Sequence, residues 1–177
     1  MTAPLRPNAA PTYGRKNWIF VPTVAATTLI PTAIEVNAAG SLDFTNIVFA
    51  DGTDKPTQTT NRVTAVRRMG DTVVPEQQGV TTIAGGNLTY QIDPQAATGS
   101  AGKKAFEKFV AGTTGFLVER LAKLNSTTPA SGDFVNVYPI SFGPTQVGEA
   151  GDGETAEGAG VCSYFVTALP VYSVALT

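Results

Sequence analysis

The amino-acid sequence predicts an all-β fold with a minor helical part, and three observations carry that prediction. Val and Thr are frequent while Met occurs only 2 times, and β-branched side chains suit a pleated surface. Gly 18 and Pro 12 cut the chain into short segments, as turns between short strands require. A helical period is present in one stretch and a clean alternating period in another. With 177 residues, 42% of them hydrophobic and 15% charged, the chain can fill one core but not two large ones. The expected organisation is an extended arm over residues 1–14 and a single domain over residues 15–177.

Taken in order, residues 1–14 are rich in Pro and Ala without apolar periodicity, so they read as an arm that orders only against something else. Asn17 to Val21 reads as the first strand. Pro22 and Pro31 break pairing, and Thr32 is placed to cap a short helical turn through Ile34 and Val36 that stops near Gly40. Ile47, Val48 and Phe49 form a short apolar run ended by the turn dipeptide Asp51-Gly52. Thr53 to Asn61 is polar with no core pattern and is expected to be a long loop or hairpin tip.

Leu88, Tyr90 and Ile92 alternate with Asn87, Thr89 and Gln91, the pattern of a half-buried strand. The period then changes. Phe106, Phe109 and Val110 stand at i, i+3 and i+4, with Lys103, Lys104, Glu107 and Lys108 opposite, which predicts a helix over about residues 100–111. Lys108 suits the negative end of the helix dipole, and Gly112 suits a left-handed terminus. Phe116 to Leu121, Phe134 to Phe142 and Val161 to Leu169 are further strands. Pro139 lies inside the second of these and cannot donate to a ladder, so that strand is expected at a sheet edge, or with a bulge at Pro139. Gly148 to Gly160 reads as an acidic glycine-rich loop. Gly158 to Thr177 is uncharged, but Pro170 and the interspersed Ser163, Thr167 and Ser173 suit two consecutive strands better than a membrane helix.

Composition narrows the function. His is absent, which removes the side chain most used for moving protons near neutral pH and for binding transition metals. Cys162 is alone, so neither an internal disulfide nor a cysteine-clustered zinc site is possible, and it reads as a buried small apolar residue. The charge is uneven: residues 1–70 hold seven basic and four acidic side chains, residues 71–124 five of each, and residues 125–177 five acidic and none basic. An anionic C-terminal third opposes tight nucleic-acid binding, though not passage of nucleic acid along a surface. Met1 to Pro11 has no apolar core of signal-peptide length, so folding in a cytoplasm is expected.

Ser100 and Lys103 have the spacing of a lysine-activated serine, but the companion elements are missing and a helix-capping serine explains the same residues. No phosphate loop is formed, since position 104 is Lys where Ser or Thr is needed. Glu149, Asp152, Glu154 and Glu157 fit no calcium loop and read as solvated loop charge. Asn87 and Asn125 open glycosylation triplets that lack a secretion context. Arg62, Arg67 and Arg68 form the local basic cluster and are assigned an intersubunit role. No catalytic, metal or cofactor residue is assigned.

Lys16-Asn-Trp-Ile-Phe-Val-Pro22 after an arm, a long polar loop and a central helix are followed by Gly115-Phe-Leu-Val-Glu-Arg120. Gly132-Asp-Phe-Val-Asn-Val-Tyr-Pro-Ile-Ser-Phe-Gly143, a Gly-rich loop and two closing strands complete the order. From about residue 13 to the end this resembles the major tail proteins, the tail tube subunits, of long-tailed phages that infect actinobacteria. The resemblance implies a two-sheet β-sandwich or barrel flanked by one helix, whose subunits close into hexameric rings that stack into a tube. It also implies a structural virion protein, not an enzyme, with the tape measure protein and tail terminator as partners and DNA passing without sequence-specific binding. The oppositely charged ends suit such self-assembly, with Arg62, Arg67 and Arg68 expected to face the Glu149 to Glu157 segment of a neighbour. The other readings are a small β-barrel or sandwich module that binds a ligand or carbohydrate, and a hydrolase using Asp and Glu alone.

Overall fold

A computed structural model describes residues 14–177; the expected arm lies almost wholly outside them. Its main body is a curled seven-stranded antiparallel sheet, with a second sheet of two strands, as the mainly β reading expects. Strand β1 (Lys16–Val21) is followed by helix α1 (Ala33–Val36), β2 (Leu42–Asp43), and the two strands of a ribbon, β3 (Thr57–Thr64) and β4 (Glu76–Ala84). Then come β5 (Gly86–Gln91), helix α2 (Ala101–Lys108), β6 (Thr114–Leu121), β7 (Phe134–Ala150), β8 (Glu157–Val166) and β9 (Val171–Ala175). The sheet order is β2-β1-β6-β7-β8-β5, with β9 paired to the first half of β7.

Both faces of the sheet are covered, which is why β1 reads as a continuous apolar run and not as an alternation. On one face Trp18, Phe20, Leu117, Ile140, Phe142, Tyr90 and Tyr164 pack with Phe44, Ala105 and Phe109. On the other, Ile19, Val21, Val118, Val135 and Val137 pack with Val36 and Leu176. Thr32 caps α1 as expected: its hydroxyl accepts from the Glu35 N–H at 3.1 Å, and the Glu35 carboxylate accepts from the Thr32 N–H at 2.7 Å. Cys162 is buried.

Helix α2 is capped by Ser100, whose hydroxyl accepts from the Lys103 N–H, while Lys103 Nζ donates to the Ala96 carbonyl, away from that hydroxyl. The helix ends at Lys108, earlier than the expected stop near residue 111. Phe109 leaves helical geometry and turns its ring into the core, where it meets Phe20, Phe44, Tyr90 and Phe142 with centroids 4.6–6.0 Å away. Val110, assigned to the buried stripe, is therefore half exposed. Gly112, at φ 84, donates instead to the Phe142 carbonyl and leads the chain into β6.

Three further readings meet corrections. The strand carrying Pro139 is interior, flanked by β6 on one side and by β9 and β8 on the other, and its bulge lies between Phe142 and Thr145. Proline is tolerated there because its backbone faces the gap between the end of β9 pairing at Val137 and the start of β8 pairing at Ile140. The Pro139 carbonyl accepts from Thr167 N–H in the same gap, so no ladder donor is lost. The segment Thr53 to Asn61 contributes to a strand, β3, and the turn of the hairpin lies between Thr64 and Glu76. Every residue of β3 is exposed, so no burial pattern exists for a polar run to display. Gly148 to Gly160 is a loop only over residues 151–156, because Gly148 to Ala150 pair with Glu157 to Ala159. The apolar run at Ile47 to Phe49 forms no strand; it lies against β5, with Phe49 N–H donating to the Thr89 carbonyl. The uncharged C-terminal stretch does form two strands, and among the described residues no helix is long and apolar enough to cross a membrane.

Candidate assembly surfaces

The basic cluster lies on the β3–β4 ribbon. Arg62 pairs with Glu76 across it at 3.5 Å, beside a bulge between Thr60 and Arg62, and Arg67 and Arg68 stand in the turn. The same ribbon exposes Val63, Val66, Met69, Val73 and Val80, apolar side chains left half or more open to solvent among the described residues. A two-stranded ribbon with neither face packed is marginal in water by itself.

The acidic residues lie at the far end of the β7–β8 hairpin. Glu149 and Glu157 end its paired arms, and Asp152 and Glu154 sit in the tip with a single 3-10 turn at Gly153–Thr155. All four are exposed. Among the described residues β6 pairs with β7 only as far as Ser141, and the second half of β7 is paired along β8 alone. Within one chain the structure does not bring the arginines and these carboxylates into any ion pair.

Two buried charged clusters escaped sequence reading. Arg120 is held by Asp133 at 2.8 Å, by the Asn17 side-chain oxygen at 2.7 Å from Nη2, and by the Leu124 and Thr127 carbonyls. Burial works against the Asp133 carboxylate, but hydrogen bonds from Lys123, Arg120 and the Ala130 N–H outweigh it and bring its pKa down to about 2. Arg120 ends the Gly115-to-Arg120 segment and Asp133 opens the Gly132-to-Gly143 segment, yet no spacing rule pairs them. Their meeting follows from the Arg120 to Val135 register.

The second cluster is built on Glu119. Its Oε1 accepts from Trp18 Nε1 at 3.3 Å and faces both Lys16 and Lys55 ammonium groups at 3.5 Å; its Oε2 accepts from Asn136 and Tyr138. Burial opposes this charge too, yet Asn136, Lys55, Trp18 and Lys16 keep its pKa below the usual carboxylate range. Lys16 lies 4.1 Å over the Trp18 ring, a cation–π contact. Burial, and then the neighbouring Lys55 against the attraction of Glu119, leave the Lys16 pKa below its ordinary value. Lys16, Trp18, Thr45, Phe49, Lys55 and Asn125 line a groove of about 700 Å³. Among the described residues no group of three or more acidic or Cys side chains is arranged to hold a metal ion.

Comparison with known proteins points one way. A family model described as phage tail tube protein matches residues 3–161. No curated protein matches the chain. A solved structure titled as the cryo-EM structure of the anti-feeding prophage baseplate, 6-fold symmetrised, matches with a TM-score of 0.50 at 10% identity. That match covers 97% of this chain and 98% of the other, so the two share a fold.

Proposed function

The chain belongs to the phage tail tube protein family, a structural component of the virion tail, and from that premise we propose that it polymerises into the tube itself. Subunits close into hexameric rings, the rings stack, and the tube conducts DNA from capsid to host without sequence-specific contacts. The sixfold symmetry of the anti-feeding prophage baseplate supports the ring number. The Gly115 to Arg120 and Gly132 to Gly143 segments support a long-tailed phage of an actinobacterial host. Assembly takes place in the host cytoplasm around the tape measure protein and ends at the tail terminator. One domain over residues 15–177 forms the ring.

The observation that carries this reading is the β3–β4 ribbon. It is exposed along all of β3 yet presents Val63, Val66, Met69, Val73 and Val80 beside Arg62, Arg67 and Arg68. Apolar surface of this kind on a projecting element marks a contact with another protein, and the abundant partner of a tube subunit is its own copy. The half-paired second half of β7 adds an open strand edge, which a neighbour's strand would complete. Glu149, Asp152, Glu154 and Glu157 offer acidic charge to a basic surface of a neighbouring copy. Sedimentation of the purified protein at rising concentration, with negative-stain microscopy of the heaviest fraction, tests the reading. Sixfold rings and tubes are expected, and a strict monomer at high concentration overturns it.

A further inference from the structure

We propose that the lysine-lined groove of one subunit receives the acidic β7–β8 tip of a second copy, and that this contact joins subunits along the tube axis. The inference rests on the tube reading and names the partners of one contact within it. The groove sets two ammonium groups on one carboxylate: Lys16 and Lys55 share one oxygen of Glu119, and the other oxygen is occupied by Asn136 and Tyr138. The depressed Lys16 pKa has the same origin, since burial and Lys55 act against a single carboxylate. A second carboxylate entering the groove gives the two lysines a further counter-charge. The Asn125 amide at the wall adds a polar group for it.

The strand registers separate the Lys16 end of the groove from the tip. Lys16 pairs with Leu121, and the adjoining Arg120 pairs with Val135 at the start of β7. The tip follows Ala150, at the other end of β7 and beyond the bulge between Phe142 and Thr145. Within one chain the tip carboxylates make no ion pair with Lys16 or Lys55. A contact between such unlike surfaces is head-to-tail, and repeated by translation it builds a filament. The tip is narrow, with Gly151 and Gly153 at positive φ around a single 3-10 turn, and it carries Asp152 and Glu154 at its end. The ribbon arginines are the rival acceptor. The groove is favoured because Glu119 and the Trp18 ring already hold its lysines, so less side-chain freedom is lost on binding.

Charge reversal with rescue decides between them. Lys55, whose side chain is 59% exposed, is changed to Glu and, more mildly, to Gln; the tip is changed by Asp152→Lys with Glu154→Lys. Full-length proteins are compared by microscopy, with circular dichroism confirming that each is folded. The expected result is that the Lys55 and tip variants keep rings but need about tenfold more protein to form tubes, and that Lys55→Glu combined with the reversed tip restores them. Wild-type polymerisation by Lys55→Gln and Lys55→Glu, or loss of rings with tubes, overturns the inference. So does rescue of the reversed tip by Arg67→Glu with Arg68→Glu in place of Lys55→Glu. Wild-type protein that forms neither rings nor tubes overturns the tube reading itself, a distinguishable result.

Discussion

Arg120 and Asp133 face each other at 2.8 Å where both side chains are almost wholly sealed from water, at 1% and 2% exposure. Each nitrogen of the guanidinium is directed at Asp133, Asn17 or the Leu124 and Thr127 carbonyls. The pair ties the end of β6, the start of β7, β1 and the β6–β7 connection into one unit.

Removing one partner leaves a charge without compensation in the interior. Arg120→Ala is expected to lower unfolding stability by about 3–5 kcal/mol, and Arg120→Lys to recover only part, because an ammonium cannot reproduce the planar fork that spans Asn17 and Asp133. Chemical denaturation at concentrations too low for polymerisation measures both.

The same carboxylate sets a pH dependence. Its folded pKa near 2 lies below its ordinary 3.8, so the stability it contributes is complete above about pH 4 and is lost as pH falls toward 2. Glu119 is also depressed and acts in the same direction. The wild-type denaturation midpoint should fall through this window, whereas Asp133→Asn should start lower and change less between pH 4 and pH 2.

Phe109 touches four aromatic rings and is completely buried. Phe109→Ala should cost about 3–5 kcal/mol through lost contacts and the cavity left behind. A calorimetric or denaturant measurement checks it, and Phe109→Leu should lose distinctly less.

Gly85 is the single residue between β4 and β5, and a Cβ there would overlap the Tyr164 carbonyl oxygen and come within 3.0 Å of Phe165 Cα. Gly85→Ala therefore forces the ribbon's base away from β8. A loss of about 1–3 kcal/mol is expected, with faster proteolytic cutting within residues 57–84.

The ribbon's exposed residues should behave oppositely. Val66→Ser with Met69→Ser, or Arg67→Glu with Arg68→Glu, should leave unfolding stability within about 0.5 kcal/mol, as surface changes do, while impairing polymerisation. Tubes of unchanged length from both variants would remove the ribbon from the assembly contacts.

From the sequence alone followed the mainly β class, the first strand, the Thr32 and Ser100 caps, the strand through Tyr90, though Thr89 on its expected wet face is buried beneath Gly52 and Thr53, and the pair of uncharged closing strands. Each of these is written in local periodicity or in a cap, where the residues that decide the structure lie within a few positions of one another. The resemblance to tail tube subunits was legible for a related reason, since it rests on the order of such segments. Tertiary structure decided the rest. Pro139 fits an interior strand only because β9 and β8 leave a gap beside it, and α2 stops early only because four aromatic rings await Phe109. β3 has no burial pattern because, among the described residues, both of its faces stay exposed. The Arg120–Asp133 pair and the Lys16–Glu119–Lys55 cluster arise from strand register, which brings residues up to 103 positions apart to one point. Charges buried by such pairing carry no local signature, because their partners are chosen by topology and not by neighbours in the chain.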